Sequence, residues 1–271
     1  MSRTCLRLLE PVTLPVEADA LSPDRLAGLG QAEVAALPLL VGRRHRCVGD
    51  LFAVEGDGAD DILLEGDLSH VKRIGQGMTR GRIEIHGNVG MHLGCDMRGG
   101  EIHVHGDVGA WAAARMAGGT LWIHGDAGPM LGAPYSGETR GMRGGLVVVE
   151  GNAGSRAGER MRRGLIVVGG DTGELAGARM IAGSIVVLGR LGGRTGAGMK
   201  RGTIVALGGL KDGLLPTFDY ACTYQPVFLR PYLRRLQALG LPISQEHIDA
   251  VYRRITGDAN TIGKGEILVY A

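Results

Sequence analysis

A repeat of 19 residues constrains the fold of this chain more than any other feature of its sequence. Glycine recurs at one phase with steps of 19 residues and a single step of 26, namely at Gly87, Gly106, Gly125, Gly151, Gly170, Gly189 and Gly208. Seven of the ten methionines follow the same steps at a second phase: Met78, Met97, Met116, Met142, Met161, Met180 and Met199. The longer step marks an insertion of seven residues within 132–142.

Each repeat begins with a segment in which apolar residues alternate. One apolar position holds Ile83, Ile102, Leu121, Val147, Ile166, Ile185 and Ile204, and the next on the same face holds Ile85, Val104, Ile123, Val149, Val168, Val187 and Ala206. Period two within a repeat and period 19 between repeats stack equivalent residues from one repeat to the next. The pattern predicts an all-β fold, a right-handed parallel β-helix of about seven coils spaced about 4.8 Å apart.

A glycine motif, G-x-x-G-x-x-x-G, follows the strands, although the second repeat has Ala113 in the third place. The residue after the first glycine is Asn88, Asp107, Asp126, Asn152 or Asp171. Asn and Asp suit corners because their side chains bond to nearby backbone amides, so we expect a structural column rather than acid–base pairs. The methionines are expected to fill the core as adaptable apolar packing, rather than to bind copper or haem.

The segment "HVHGDVG" at 103–109 raises the question of a zinc site, because residues two apart on a strand project from one face. The repeat places His105 in a column with His86 and His124, continued by Glu150. His103 shares its phase with Glu84, Trp122 and Val148. No further ligand converging on this column is evident from the sequence. We therefore predict no metal site and interpret the column as a product of the repeat.

Composition excludes several classes of protein. The chain has 271 residues with 48 glycines but no G-X-Y period, so it is not collagenous. A hydrophobic fraction of 44% argues against disorder, and a net charge of +2 gives no indication of nucleic-acid binding. The four cysteines are far apart, so neither disulfides nor a zinc ribbon is predicted. Without a signal peptide or an apolar span, the protein is expected to be soluble and cytoplasmic.

The repeat ends on both sides, which predicts three parts: an N-terminal α/β extension at 1–61, the β-helix at 62–210, and a C-terminal helical cap with a closing strand at 211–271. Ser22 is predicted to cap a short helix that begins at Pro23. In the C-terminal part, "QPVFLRPYLRRLQALG" predicts a helix ending at Gly240. "ISQEHIDAVYRRITG" predicts a second helix capped by Ser244 and terminated by Gly257. "GKGEILVYA" predicts a strand.

The outer face of the predicted strands changes character along the chain. It is polar in the first repeats and apolar in the later ones, where the equivalent residues are Val148, Val167, Val186 and Val205. A strand that is apolar on both faces is covered on both faces. We expect the C-terminal helices to cover most of this surface and a partner to cover the remainder.

The chain resembles a known family in several segments. They are "EGDLSHVKRIGQGMTRGRIEIHGNVGMHLG" (65–94), "GETRGMRGG" (137–145), "GRLGGRTGAGMKRGTIV" (189–205), "LLPTFDYACTYQPVFL" (214–229) and "GDANTIGKGEILV" (257–269). The repeats are similar to the C-terminal β-helix of glutamate synthase. The whole chain looks more like the C subunit of formylmethanofuran dehydrogenase, and most of all like its counterpart in the formyltransferase/hydrolase complex of methylotrophic bacteria.

The resemblance implies a role in one-carbon metabolism. Such a complex moves a formyl group from formyl-tetrahydromethanopterin to a methanofuran-type cofactor and hydrolyses it to formate. The implied partners are the amidohydrolase-like A subunit, the B subunit and the formyltransferase D subunit, and the furan cofactor and zinc are held by these other subunits. The C subunit is then a scaffold with no catalytic residue, cofactor or metal of its own. The sequence agrees, since it shows no nucleophile–base pair or phosphate-binding loop.

Two further hypotheses remain open. A β-helix could instead act alone as an enzyme, or bind a ligand such as a polymer or an acyl donor. Alternatively, the scaffold could contact the acidic glutamyl tail that the resemblance implies for the cofactor, because arginine suits carboxylate recognition. Arginines cluster at the insertion and the following repeat, and the candidate residues are Arg140, Arg143, Arg162 and Arg163. A solvated or subunit-facing charged edge would produce the same pattern.

Overall fold

A computed structural model describes residues 3–271, so residues 1 and 2 of the predicted N-terminal extension lie outside it. Strands predominate. They are β1 (Thr4–Leu8), β2 (Val16–Glu17), β3 (Pro38–Val41), β4 (Arg44–Cys47), β5 (Phe52–Glu55), β6 (Asp61–Glu65), β7 (Val71–Lys72), β8 (Arg82–His86), β9 (Glu101–Val104), β10 (Thr120–Ile123), β11 (Arg143–Val149), β12 (Arg163–Val168), β13 (Ser184–Val187), β14 (Arg201–Ala206), β15 (Asp219–Tyr224), β16 (Tyr252–Gly257) and β17 (Lys264–Tyr270). The helices are α1 (Pro23–Leu26), α2 (Gln31–Ala35), α3 (Val48–Leu51), α4 (Leu229–Ala238) and α5 (Gln245–Asp249).

One large sheet organises the molecule, in the order β15-β16-β17-β14-β13-β12-β11-β10-β9-β8-β6-β1-β5. From β1 to β17 every neighbouring pair is parallel. Antiparallel strands close both ends, with β5 beside β1 and β16 and β15 beyond β17. The prediction of an all-β fold with a large parallel sheet is confirmed.

The repeat strands pair in the register that the 19-residue period predicts. Ile83 lies opposite Ile102, and Ile166 lies opposite Ile185. Both predicted apolar positions are fully buried from β8 to β14, and so are all seven methionines of the repeat. A second series of parallel bridges runs through the segments after the strands, joining Leu68, Val89, Val108, Ala127, Ala153 and Thr172 in turn. Each repeat therefore contacts its neighbours along two ladders around one apolar interior.

The Asn/Asp column forms a continuous chain of hydrogen bonds. The backbone N–H of Asp107 donates to Asn88 Oδ1 at 2.9 Å, and that of Asp126 donates to Asp107 Oδ1 at 2.8 Å. The series continues through Asn152 and Asp171 to the N–H of Arg190. These side chains satisfy amides that the strand ladders leave free, so their predicted structural role is confirmed.

Strands β2, β3 and β4 of the N-terminal residues form a second sheet with β7, in the order β4-β3-β2-β7. Helix α1 begins at Pro23 as predicted, and Ser22 occupies the N-cap position, although its side chain makes no capping hydrogen bond. Strand β1 is not part of this second sheet, because it pairs with β6 in the large sheet. The N-terminal residues therefore also supply the strand that precedes the first repeat.

A second apolar core lies on the outer face of the later repeats. Val148, Val167, Val186 and Val205 pack there with Leu268 and with residues of the C-terminal segment, including Leu229, Leu233, Leu236, Ile243 and Ile248. Helix α4 is amphipathic and buries the three leucines at spacings of four and three residues, as a helix packed on a sheet does. The prediction that C-terminal helices cover most of the apolar outer face is confirmed, and cover of the remainder by a partner stays a prediction.

The predicted second C-terminal helix is wrong beyond its first turn. Ser244 caps α5 as predicted, because its Oγ accepts a hydrogen bond from His247 N–H, but the helix ends at Asp249. Residues 252–257 instead form β16, antiparallel to β17, so Gly257 terminates a strand and not a helix. Pairing with β17 and burial of Tyr252 and Ile255 outweigh the helical spacing. The C-terminal part is therefore a mixture of helices and strands rather than a helical cap.

Two further findings concern the remaining predictions. Cys5, Cys47, Cys95 and Cys222 are all free, in agreement with the cysteine spacing. Among residues 3–271, no helix combines the length and apolar character that spanning a membrane requires.

Candidate functional site

Basic residues stand in register at the beginning of the later strands. Arg143 in β11 lies opposite Arg163 in β12, and Arg201 in β14 lies opposite Lys264 in β17. All four side chains are exposed. Like charges directly opposite each other on neighbouring strands lower stability, because the strands are only about 4.8 Å apart. The N-terminal ends of these strands therefore carry concentrated positive charge that the fold itself does not require.

Four of the arginines in the repeats that follow the insertion have acidic partners. Glu159 is buried, with a side chain only 7% exposed, and its carboxylate lies 3.1 Å from Arg156 Nη1 and 3.9 Å from Arg160 Nε. Arg179 reaches the same carboxylate, and Arg194 pairs with Glu174. Arg179 and Arg194 thereby link neighbouring repeats, whereas Arg156 and Arg160 pair with a carboxylate of their own repeat.

The four predicted site residues have no such partners. Among residues 3–271, no carboxylate lies within 4.0 Å of Arg140, Arg143, Arg162 or Arg163. Arg140 and Arg143 line one surface hollow of about 500 Å³. Arg163 lines another, of about 640 Å³, together with Tyr232 and Arg235. The structure thus brings Arg143 next to both Arg140 and Arg163, whereas Arg162 lines neither hollow.

The insertion that carries Arg140 is fixed to the repeats by polar contacts. Arg115 pairs with Asp96 and with Glu138 of the insertion. Tyr135 Oη lies 3.1 Å from His92 Nδ1. Burial raises the pKa of the Tyr135 hydroxyl and lowers the pKa of the His92 ring, so both groups are neutral at pH 7. These contacts therefore anchor the part of the insertion that precedes Arg140 to the repeats.

A second polar surface lies on the outer face of the first repeats, where the C-terminal segment does not reach. His105 stacks on His124 with ring centroids 4.6 Å apart, and the rings of His86 and His105 meet edge to face at 4.8 Å. Next to them, Glu84 Oε1 lies 3.2 Å from the Nε2 atoms of both His86 and His105. The repeat does not place Glu84 in the histidine column, because Glu84 shares the phase of His103.

Glu84 is itself held by arginines. Arg3 donates a hydrogen bond to Oε2, and Arg82 lies 3.5 Å from the same oxygen. The contact with Arg3, aided by the two histidines, lowers the pKa of the Glu84 carboxyl to about 2. The sequence contained a signal for this arrangement, because "EIH" at 84–86 precedes "HVH" by one repeat and Glu84 shares a strand face with His86.

No family model matches this chain. The C subunit of the molybdenum-containing formylmethanofuran dehydrogenase 1 of Methanothermobacter marburgensis is 42% identical over 84 residues, which are 30% of this chain and 21% of that protein. The C subunit of the formyltransferase/hydrolase complex Fhc of Methylorubrum extorquens is 40% identical over 82 residues, 30% of this chain and 31% of that protein. The chain thus matches less than a third of the length of these two relatives.

A solved structure extends the match to the whole chain. It is a chain of the crystal structure of the formyltransferase/hydrolase complex (FhcABCD) from Methylorubrum extorquens in complex with methylofuran, with a TM-score of 0.92 and 38% identity. The match covers 98% of this chain and 99% of that chain. The chain belongs to the C-subunit family of formylmethanofuran dehydrogenases and formyltransferase/hydrolase complexes.

Membership of the C-subunit family confirms the resemblance that the repeat and its flanking segments indicate. The agreement over 98% of the chain includes both the N-terminal residues and the C-terminal segment.

Proposed function

We propose that the chain is a structural subunit of a complex that transfers a formyl group from formyl-tetrahydromethanopterin to a methanofuran-type cofactor and hydrolyses it to formate. The observation that carries the proposal is the full-length similarity to a chain of the complex from Methylorubrum extorquens. The amidohydrolase-like A subunit, the B subunit and the formyltransferase D subunit would be its partners. They would hold the zinc and the furan cofactor, whereas this chain would contribute no catalytic residue.

The architecture behind this role would be a right-handed parallel β-helix at 62–210, flanked by the N-terminal extension at 1–61 and the C-terminal part at 211–271. Two ladders of parallel pairs with the same 19-residue step support it. Parallel strands joined by crossover connections favour the right-handed form. A closed stack of this kind offers long, rigid outer faces on which larger subunits can be held at fixed positions.

The test of the proposed function is replacement of the C subunit in Methylorubrum extorquens by this chain carrying an affinity tag. We expect gentle purification to recover the other three subunits in fixed ratio, with formate released from the formylated cofactor. Cells that express the untagged chain provide the control for nonspecific recovery. Formate release by the purified chain alone, or full activity of a complex that lacks it, would contradict the scaffold role.

The basic surface formed by the insertion and by the N-terminal ends of β11 and β12 would guide the acidic tail of the cofactor. Arg140, Arg143 and Arg163 are exposed, lack acidic partners and line neighbouring hollows. Arginine pairs with carboxylates through two parallel hydrogen bonds, and a positive surface raises the local concentration of an anion. The like-charge pair of Arg143 and Arg163 would then be retained because a bound polyanion neutralises it. Arg162 would add to the same potential from its exposed position.

Reversing the charge of this pair tests the idea. In the assembled complex, Arg143→Glu with Arg163→Glu is expected to raise the apparent KM for the formylated cofactor on the order of tenfold, with kcat unchanged, because the anion is attracted less strongly. The difference should shrink at high salt, which screens exposed charges. Arg44→Glu with Arg46→Glu makes the same change of charge on the exposed strand β4 and should leave the KM unchanged. An unaltered KM in intact complex carrying the first pair would refute this role.

A further inference from the structure

Three potential ligand atoms converge on the outer face of the first repeats. Glu84 and His86 are two residues apart in β8 and project from one side, and His105 follows β9 on the neighbouring strand. Glu84 Oε1, His86 Nε2 and His105 Nε2 all lie within 4.8 Å of one another. No other group of three or more such residues is found between residues 3 and 271.

The two distances from Glu84 fit a tetrahedral cation. Bonds of 2.0–2.1 Å to nitrogen and oxygen place neighbouring ligand atoms of a tetrahedron about 3.3 Å apart. Glu84 Oε1 is 3.2 Å from each of the two histidine nitrogens. Two imidazoles and one carboxylate are also a donor set that zinc accepts, with a fourth position left for water or another ligand.

The surroundings orient these groups. Arg3 and Arg82 occupy Glu84 Oε2, which leaves Oε1 directed at the histidines, and such outer hydrogen bonds commonly fix a ligating carboxylate. The Glu84 side chain is only 18% exposed, whereas His86 and His105 are 49% and 43% exposed. His124 stacks on His105 but directs Nδ1 to Glu150 at 3.0 Å, so it supports the ring without joining the cluster.

We propose that Glu84, His86 and His105 form a binding site for a divalent transition-metal cation, with zinc the ion that best fits the donor set. The ion would join β8 to β9 on the side of the sheet that the C-terminal segment leaves open. Because His86 and His105 are nearly half exposed, a ligand from outside the chain could complete the coordination. The site is independent of the formyl-transfer complex, because all three ligands come from this chain.

The site can be tested on the full chain with any polyhistidine tag removed and metal stripped by a chelator. Titration with zinc chloride in a calorimeter is expected to show one ion per chain. Cobalt(II) should give the visible absorption of a tetrahedral complex. His105→Gln and Glu84→Gln are each expected to weaken zinc binding by about tenfold or more, because each removes one of three ligands.

A matched control separates this site from adventitious surface binding. His45→Gln removes an exposed histidine of β4 in the other sheet and should leave the zinc affinity unchanged. Zinc should also raise the melting temperature of the wild-type chain but not that of His105→Gln, which keeps the test valid if Glu84→Gln folds poorly without its arginine contacts. Failure to bind zinc, or binding that survives His105→Gln, would overturn the proposal.

Discussion

Replacing Gly125 by alanine is expected to lower the free energy of unfolding by about 3 kcal/mol, at the upper end of the cost of overpacking. A Cβ atom at this position would lie 2.3 Å from Asp107 Oδ1 and 2.7 Å from the carbonyl oxygen and carbon of Gly106. The nearest of these atoms accepts the N–H of Asp126, so the added methyl group also disturbs the Asn/Asp column. Urea unfolding followed by circular dichroism measures the effect.

Gly213→Ala is the matched control for this substitution. A Cβ atom at Gly213 would meet no atom within 4 Å, and its φ lies outside the left-handed region. The same chemical change should therefore leave the unfolding free energy within about 0.5 kcal/mol of wild type. Equal midpoints for Gly125→Ala and wild type would mean that the repeats approach each other less closely than the structure shows.

Truncating Leu233 to alanine is expected to cost about 2–5 kcal/mol, because it removes a buried side chain and leaves a cavity. Leu233 is fully buried between α4 and the outer face of the later repeats, in the cluster that contains Val167 and Val186. The loss would expose the apolar strip on which the C-terminal segment lies. Thermal and urea unfolding should both report it, and limited proteolysis should cut the C-terminal segment faster.

Leu239→Ala provides the corresponding control in the same region. Leu239 forms the C-cap of α4 and is 39% exposed, so its truncation should change the unfolding free energy by less than about 1 kcal/mol. If both leucine variants unfold like the wild type, the C-terminal segment does not contribute to the stability of the repeats.

The parallel sheet could be predicted from the sequence because each residue position repeats 19 residues later. Such a period determines which strands pair and in which register, so the contacts of Ile83 with Ile102 follow from counting. The change from His103 to Val167 at one phase likewise predicted a cover over the later repeats. In both cases the same position recurs in every repeat, so an isolated exception such as Ala113 does not obscure the pattern.

Features that occur once in the chain were harder to predict. Strand β16 has a helical sequence pattern, and it is extended because it pairs with β15 on one side and with β17 on the other. The cluster around Glu84 depends on Arg3, which is distant in sequence and outside the repeat. Three of the four paired arginines depend on the buried carboxylate of Glu159, and the fourth depends on Glu174. Long-range contacts of this kind leave no periodic signal.

The antiparallel strands at both ends of the large sheet give the molecule a defined length. Between them each repeat adds one strand spacing, about 4.8 Å, and pairs only with its immediate neighbours. The distance between the two ends of the parallel part is therefore a whole number of strand spacings. Loss or duplication of a whole repeat would move the two ends in steps of that unit while preserving every other pairing, so whatever binds at the two ends is held at a distance that the number of repeats specifies.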